Sequence, residues 1–143
     1  MRKHIQKMAA IAIMLLAFFG CHSGNDGPIT PNQFKGSDIE RIQAAVNAAA
    51  GTTGTITIPG RNSNGTNIWL IDSAILLPGN MTVILDNCTI QLSDRCRDNM
   101  FRSNNAGYGI ENPVPLENIH IIGIGNVLLK GAENPRSTGD GAR

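Results

Sequence analysis

Between Ser93 and Pro115 the sequence gathers side chains with chemical potential: Asp94, Asp98 and Glu111 as acids, Arg95, Arg97 and Arg102 as cations, Tyr108 as an aromatic and Cys96 as a thiol. Two carboxyl groups held about 5 to 10 Å apart across a cleft can cleave a glycosidic bond, one as acid and the other as base or nucleophile. The predicted strands present Thr55, Thr57, Thr82, Thr89, Gln91 and His120 outward, and none of these is a carboxylate. No catalytic residue is therefore assigned, and Asp86, Asp94, Asp98, Glu111 and Glu117 read as solvated positions. Asp94 and Asp98 lack the dense oxygen-ligand spacing of a calcium loop, and His120 has no second His or Cys nearby in sequence. No metal and no cofactor is expected. Arg95, Arg97, Arg102 and Tyr108 have the chemistry to bind an acidic sugar, and long loops on a rigid scaffold are where binding concentrates. The same loop would also serve as a cover.

Cys88 and Cys96 have two readings. An exported chain could join them as a disulfide pinning this loop. Cys88 also falls on the inward face of a strand, where a reduced core cysteine packs as a small apolar residue. Both readings stay open at this stage.

The elements that must position these groups begin at Ser37. Ser37 and Glu40 have the spacing of a capping box. Ile39, Ile42, Val46 and Ala49 then recur at helical spacing, with Glu40, Arg41, Gln43 and Asn47 elsewhere on the wheel, and Gly51 stops the helix. Beyond it come short runs of alternating character: Thr55 to Ile58, Ile68 to Ile71, Ala74 to Leu77, Met81 to Leu85 and Cys88 to Leu92. After the long polar excursion the pattern returns, with Asn118, Ile119, Ile121 and Ile122 matching Asn80, Met81, Val83 and Ile84 at a spacing of 38. Val127 and Leu129 match Cys88 and Ile90 at 39. Removing the excursion leaves a unit of about 22 residues, within the range of solenoid repeats.

The N-terminus carries another signal. Arg2, Lys3, His4 and Lys7 precede an apolar run from Met8 to Phe19, the layout of an export signal and shorter than a membrane span. Residues 1–20 are assigned to this signal and 21–35 to a tether. Cys21 after Gly20 resembles a lipobox, which implies a lipid-anchored protein on the cell envelope, at the periplasmic or surface face of the outer membrane. Without Arg2, Lys3 and Lys7 the chain holds 9 basic against 11 acidic residues. That balance argues against nucleic acid as a partner.

Three stretches carry a family resemblance: Asp38-Ile39-Glu40-Arg41-Ile42-Gln43-Ala44-Ala45-Val46, Gly54-Thr55-Ile56-Thr57-Ile58-Pro59-Gly60, and Asn118-Ile119-His120-Ile121-Ile122-Gly123-Ile124-Gly125. Together they resemble the opening of pectin-lyase-like proteins, which include family 28 glycoside hydrolases and exported polysaccharide-degrading proteins of gut Bacteroidetes. The resemblance implies an all-β fold, a right-handed parallel β-helix with an N-terminal capping helix, over residues 36–143. It also implies that these residues are the front part of a longer domain. The implied function is action on a polysaccharide, with hydrolysis of pectin-like or other acidic glycans first, a non-catalytic carbohydrate-binding module or adhesin second, and a polysaccharide lyase third. Whether the parent protein is an enzyme stays open, and these residues alone are expected to be inactive.

Overall fold

A computed structural model of the chain describes residues 27–107 and 109–134. Residues 1–26, which include the expected export signal and Cys21, lie outside them, as do Tyr108 and residues 135–143. Helix α1 spans Asp38–Ala50, and its capping box forms as the spacing requires: the Ser37 amide donates to Glu40 Oε2 at 2.8 Å, and the Glu40 amide donates to Ser37 Oγ at 3.4 Å. Ile42, Ala45, Val46 and Ala49 make its fully buried stripe. Arg41, assigned by periodicity to the polar side, is buried as well, at 2% exposure. Its guanidinium pairs with Asp38 one turn back and lies 5.2 Å from the centre of the Trp69 ring. A buried charge of this kind is tolerated because it is paired.

Among the described residues eight strands follow: β1 (Thr55–Ile58), β2 (Ile68–Ile71), β3 (Ile75–Leu77), β4 (Met81–Asp86), β5 (Thr89–Leu92), β6 (Phe101–Ser103), β7 (Ile119–Ile124) and β8 (Leu128–Lys130). All pairing is parallel, in three small sheets ordered β1-β4-β7, β2-β5-β8 and β3-β6. The 38-residue correspondence is the register of one pair, with Met81 opposite Ile119 and Val83 opposite Ile121. The 39-residue correspondence is the register of another, with Ile90 opposite Leu129. Alternation puts Ile56, Ile58, Trp69, Ile71, Ile75, Leu77, Met81, Val83, Leu85, Cys88 and Ile90 into one core beneath α1. The segment before the helix joins the same body. Ile29 bridges to Ile56, and the Thr57 amide donates to Ile29 O at 2.9 Å.

Sharp corners precede the strands of the first sheet. Gly54, Asn80 and Asn118 all take left-handed backbone angles (φ 65°, 57° and 57°), which glycine adopts freely and asparagine more readily than most residues. The corners stack, with Asn118 Nδ2 donating to Asn80 Oδ1 at 2.8 Å. A Cβ on residue 54 would stand 2.6 Å from the Asn80 carbonyl oxygen, so glycine is required there on two grounds.

The fold class implied by the resemblance, an all-β right-handed parallel β-helix, is corrected by this arrangement. The described residues form one 13-residue helix over three small parallel sheets, with no closed sheet and no continuous solenoid. The reason lies in the excursion. It is not loop throughout, because β6 emerges inside it and pairs with β3, Ile75 opposite Phe101. Among the described residues of the polar run from Asn104 to Asn118, with Pro113 and Pro115, there is no strand, so the third sheet stops at two. Proline has no amide to give a ladder. The connections are also unequal: partners lie 27 residues apart between β1 and β4, 21 between β2 and β5, and 38 between β4 and β7. Alternation specifies which face a residue takes and leaves the number of strands per sheet open.

Candidate binding groove

Outward residues of β2 and β5 form the floor of an open groove of about 580 Å³, lined by Asp38, Asn62, Asn64, Thr66, Ile68, Leu70, Gln91, Leu92, Ser93, Asp94, Arg95 and Glu133. One wall is the loop between β1 and β2, and Asn62 shapes it. The Asn62 side-chain oxygen accepts from the amides of Asn64 (3.0 Å) and Thr66 (3.1 Å), and its Nδ2 donates to Ile68 O at 3.0 Å. Its own amide donates to Thr66 O at 2.8 Å. At 4% exposure Asn62 is a built corner of the loop, and it leaves Asn64 and Thr66 exposed toward the groove.

The floor is tied to the helix through Asp38, whose Oδ2 accepts from the Leu70 amide at 2.8 Å while Oδ1 faces Arg41. Ser93 closes the end of β5, donating to Asp72 and accepting from the Arg95 amide at 3.3 Å. The far wall is set by two carboxylates. Asp94 accepts from the Asn134 amide at 2.9 Å and from Asn134 Nδ2 at 2.8 Å, and these donors, the side chain foremost, hold its carboxyl below the ordinary range. Glu133 is likewise lowered, first by Lys130 at 3.1 Å and then by Gln91, whose Nε2 lies 3.4 Å away. Hydrogen bonds to the charged form favour that form, so both groups stand ionised.

Of the charged residues singled out between Ser93 and Pro115, the groove takes only Asp94 and Arg95. Arg97 turns back to donate to Asp94 O at 2.9 Å and Cys96 O at 3.3 Å. Arg102, on β6, pairs with Asp98 at 3.2 Å and packs against Gly107. Of the three arginines, Arg102 is the one with a carboxylate partner among the contacts described here, Asp98. Asp86 ends β4 and accepts from Asn87 Nδ2 at 2.8 Å, and His120 is exposed on β7 opposite Thr82. Asp94 and Asp98 are engaged with different partners, Asn134 and Arg102. Among the described residues no group of three or more His, Cys, Asp or Glu side chains stands ready to hold a metal ion. Sequence reasoning missed Asn62, Asn64, Thr66 and Glu133 as site residues. The polar Asn62-Ser63-Asn64-Gly65 run between two strands was the available signal.

The disulfide reading of Cys88 and Cys96 is corrected. Both are free thiols, Cys88 buried in the core and Cys96 half-buried with its Sγ 3.6 Å from Asp98 O. Burial pushes the Cys88 thiol up, away from the reactive thiolate. Iodoacetamide at pH 8 is expected to alkylate Cys96 in the folded protein and to reach Cys88 only after denaturation. Peptide mass spectrometry reads this directly, and labelling of both thiols in the native state would show that this part of the core is open.

No protein family, curated protein or solved structure matches the chain. Among the described residues no helix is long and apolar enough to cross a membrane.

Proposed function

We propose that this chain contributes a glycan-binding groove to an exported, lipid-anchored protein that acts on polysaccharide. The observation that carries the reading is the lining itself. The exposed side chains of Asn64, Thr66 and Asp94 border two partly exposed aliphatic side chains, Ile68 at 39% and Leu70 at 47%. Pyranose rings present hydroxyl edges and C–H faces, and an open groove with both kinds of partner suits a sugar chain. The resemblance of the three sequence stretches to exported polysaccharide-acting proteins agrees with it. Asp94 and Glu133 are both hydrogen-bonded at the groove's far wall, and in this reading the groove's role is to retain a polymer. Trp69 lies beneath the floor, fully buried with Nε1 donating to Pro59 O at 2.9 Å, so it offers no stacking platform. Affinity is accordingly expected in the millimolar range for short oligosaccharides.

The test is retention of the full chain in native gels cast with soluble polysaccharides. Asn64→Ala combined with Arg95→Ala removes exposed groups without touching the core. It is expected to weaken retention about tenfold, the loss of one or two hydrogen bonds, some to a charged group. Unchanged retention in the double variant would exclude the groove as the site. Export and anchoring have their own measurement: a radiolabelled fatty acid is expected to mark the protein in a bacterial host and to leave Cys21→Ser unmarked.

A further inference from the structure

The two ends of the stacked sheets are finished differently. On the side of α1, each first strand has outer backbone groups already taken. β1 is bridged by Ile29, whose carbonyl accepts from the Thr57 amide at 2.9 Å. On β2 the Leu70 amide donates to Asp38 Oδ2 at 2.8 Å. On β3 the Gln43 side chain binds Leu76 as a neighbouring strand would, its Oε1 accepting from the amide at 2.9 Å and its Nε2 donating to the carbonyl at 3.1 Å. A further strand could join there only by displacing these groups. The opposite side lacks such a finish, for β7 and β8 are the last strands of their sheets among the described residues. Ile121 is half-exposed although Val83 opposite it on β4 is fully buried, and Leu129 is half-exposed beside a fully buried Ile90. Edge strands are ordinarily guarded by charged side chains or proline. β7 reads Ile119-His120-Ile121-Ile122-Gly123-Ile124 and holds no carboxylate, lysine, arginine or proline.

We propose that β7 is a self-association edge, on which a second copy of this chain sets its own β7 antiparallel about a two-fold axis near the middle of the strand. Charge permits it: with no carboxylate, ammonium or guanidinium on β7, two identical edges approach without like-charge conflict. Geometry selects the closed pair. Head-to-tail stacking is barred where Ile29, Asp38 and Gln43 occupy the other end, which leaves the isologous arrangement, in which one surface meets itself and growth stops at two. The half-exposed side chains of Ile121, Ile122, Ile124, Leu128 and Leu129 present a few hundred Å² together, the size at which an apolar patch marks a protein contact. Residues 135–143 hold no large apolar side chain with which to cover them. In the antiparallel pair the inward faces of both strands lie on one side, so Ile121 of each copy enters a shared apolar layer. A contact of this size falls at the weak end of specific interfaces, and the pair is expected to dissociate on dilution through the micromolar range.

The experiment is sedimentation velocity of the full chain in nonionic detergent under reducing conditions, with Cys21→Ser beside it so that association through a lipid is separated from association through β7. Both forms are expected to be monomers at nanomolar and dimers at high micromolar concentration. Hydrogen exchange on the same samples should show the amides of Ile119 to Ile124 gaining protection as concentration rises, while those of β1 stay unchanged. Ile121→Lys brings two lysines together near the two-fold on a side chain that is half-exposed in the single chain. It is expected to raise the dimer dissociation constant about tenfold or more, since like charges facing each other across an interface are strongly opposed. If the variant loses its thermal transition, the concentration dependence of exchange in the parent decides alone. A monomer at every concentration, with β7 open or already protected by another segment, would overturn the proposal. So would an open series of oligomers, a dimer protected elsewhere than β7, or dimerisation undiminished in a folded Ile121→Lys.

Discussion

Asp38→Ala is expected to destabilise the protein by about 3 to 5 kcal/mol, the cost of stranding a buried charge by removing its partner. Arg41 is 2% exposed, its Nε already has no hydrogen-bond partner among the described residues, and Asp38 is the carboxylate that faces it. The same side chain accepts the Leu70 amide at 2.8 Å and lies 3.5 Å from Asn62 Nδ2, so helix, floor strand and wall loop meet at this one carboxylate. A loss of this size is a large fraction of the total stability of a small domain. Urea unfolding of the single variant and of Asp38→Ala/Arg41→Met measures it. Removing both charges is expected to cost less than removing the acid alone, because an apolar side chain can rest on Trp69 without a counter-charge. A single variant within about 1 kcal/mol of the parent would show that the pair is solvated and not structural.

Ile42→Asp is expected to be as severe, on the order of 4 kcal/mol or more, because an unpaired carboxylate would enter the fully buried stripe of α1. Ile42→Val at the same site should cost only about 1 kcal/mol, the ordinary loss of a methylene. The contrast separates charge burial from a mere packing defect. Hydrogen exchange localises the damage: the amides of Thr55 to Ile58, in the strand beneath the helix, should lose protection in Ile42→Asp and keep it in Ile42→Val. Equal protection in both variants would mean that α1 does not cover these strands.

Local signals carried much of this structure. The capping box and the Gly51 stop bounded the helix because both depend on residues within one turn. The alternating runs placed Ile56, Ile58, Met81, Val83, Leu85, Cys88 and Ile90 inward because a strand's period is two wherever it is paired. Even the registers of β4 with β7 and β5 with β8 were legible, since the facing segments share a pattern. β6 was not legible. Phe101, Arg102 and Ser103 have no alternation of their own to show, and they became a strand because β3 offered an unpaired edge.

Arg41 and Gln91 mark the same limit from the other side. Periodicity put both on exposed faces, and both are buried, Arg41 by the Trp69 ring and Asp38, Gln91 at 6% exposure with Glu133 bonded to it from 42 residues away. The groove belongs to this second kind of information. Asp38, Asn62, Gln91, Asp94 and Glu133 come from a helix, a loop, a strand, a turn and the segment after β8, and nothing in their spacing announces that they meet.

What the amino-acid sequence determined by itself is the helix with its cap and the inward faces of β1, β4 and β5, all consequences of interactions between near neighbours. What only the tertiary structure decided is how many strands each sheet collects, which charges are neutralised and which side chains share a groove. Those depend on partners brought together by parallel pairing across 21 to 39 residues, which local sequence specifies only where two segments repeat one pattern, as β4 and β7 do.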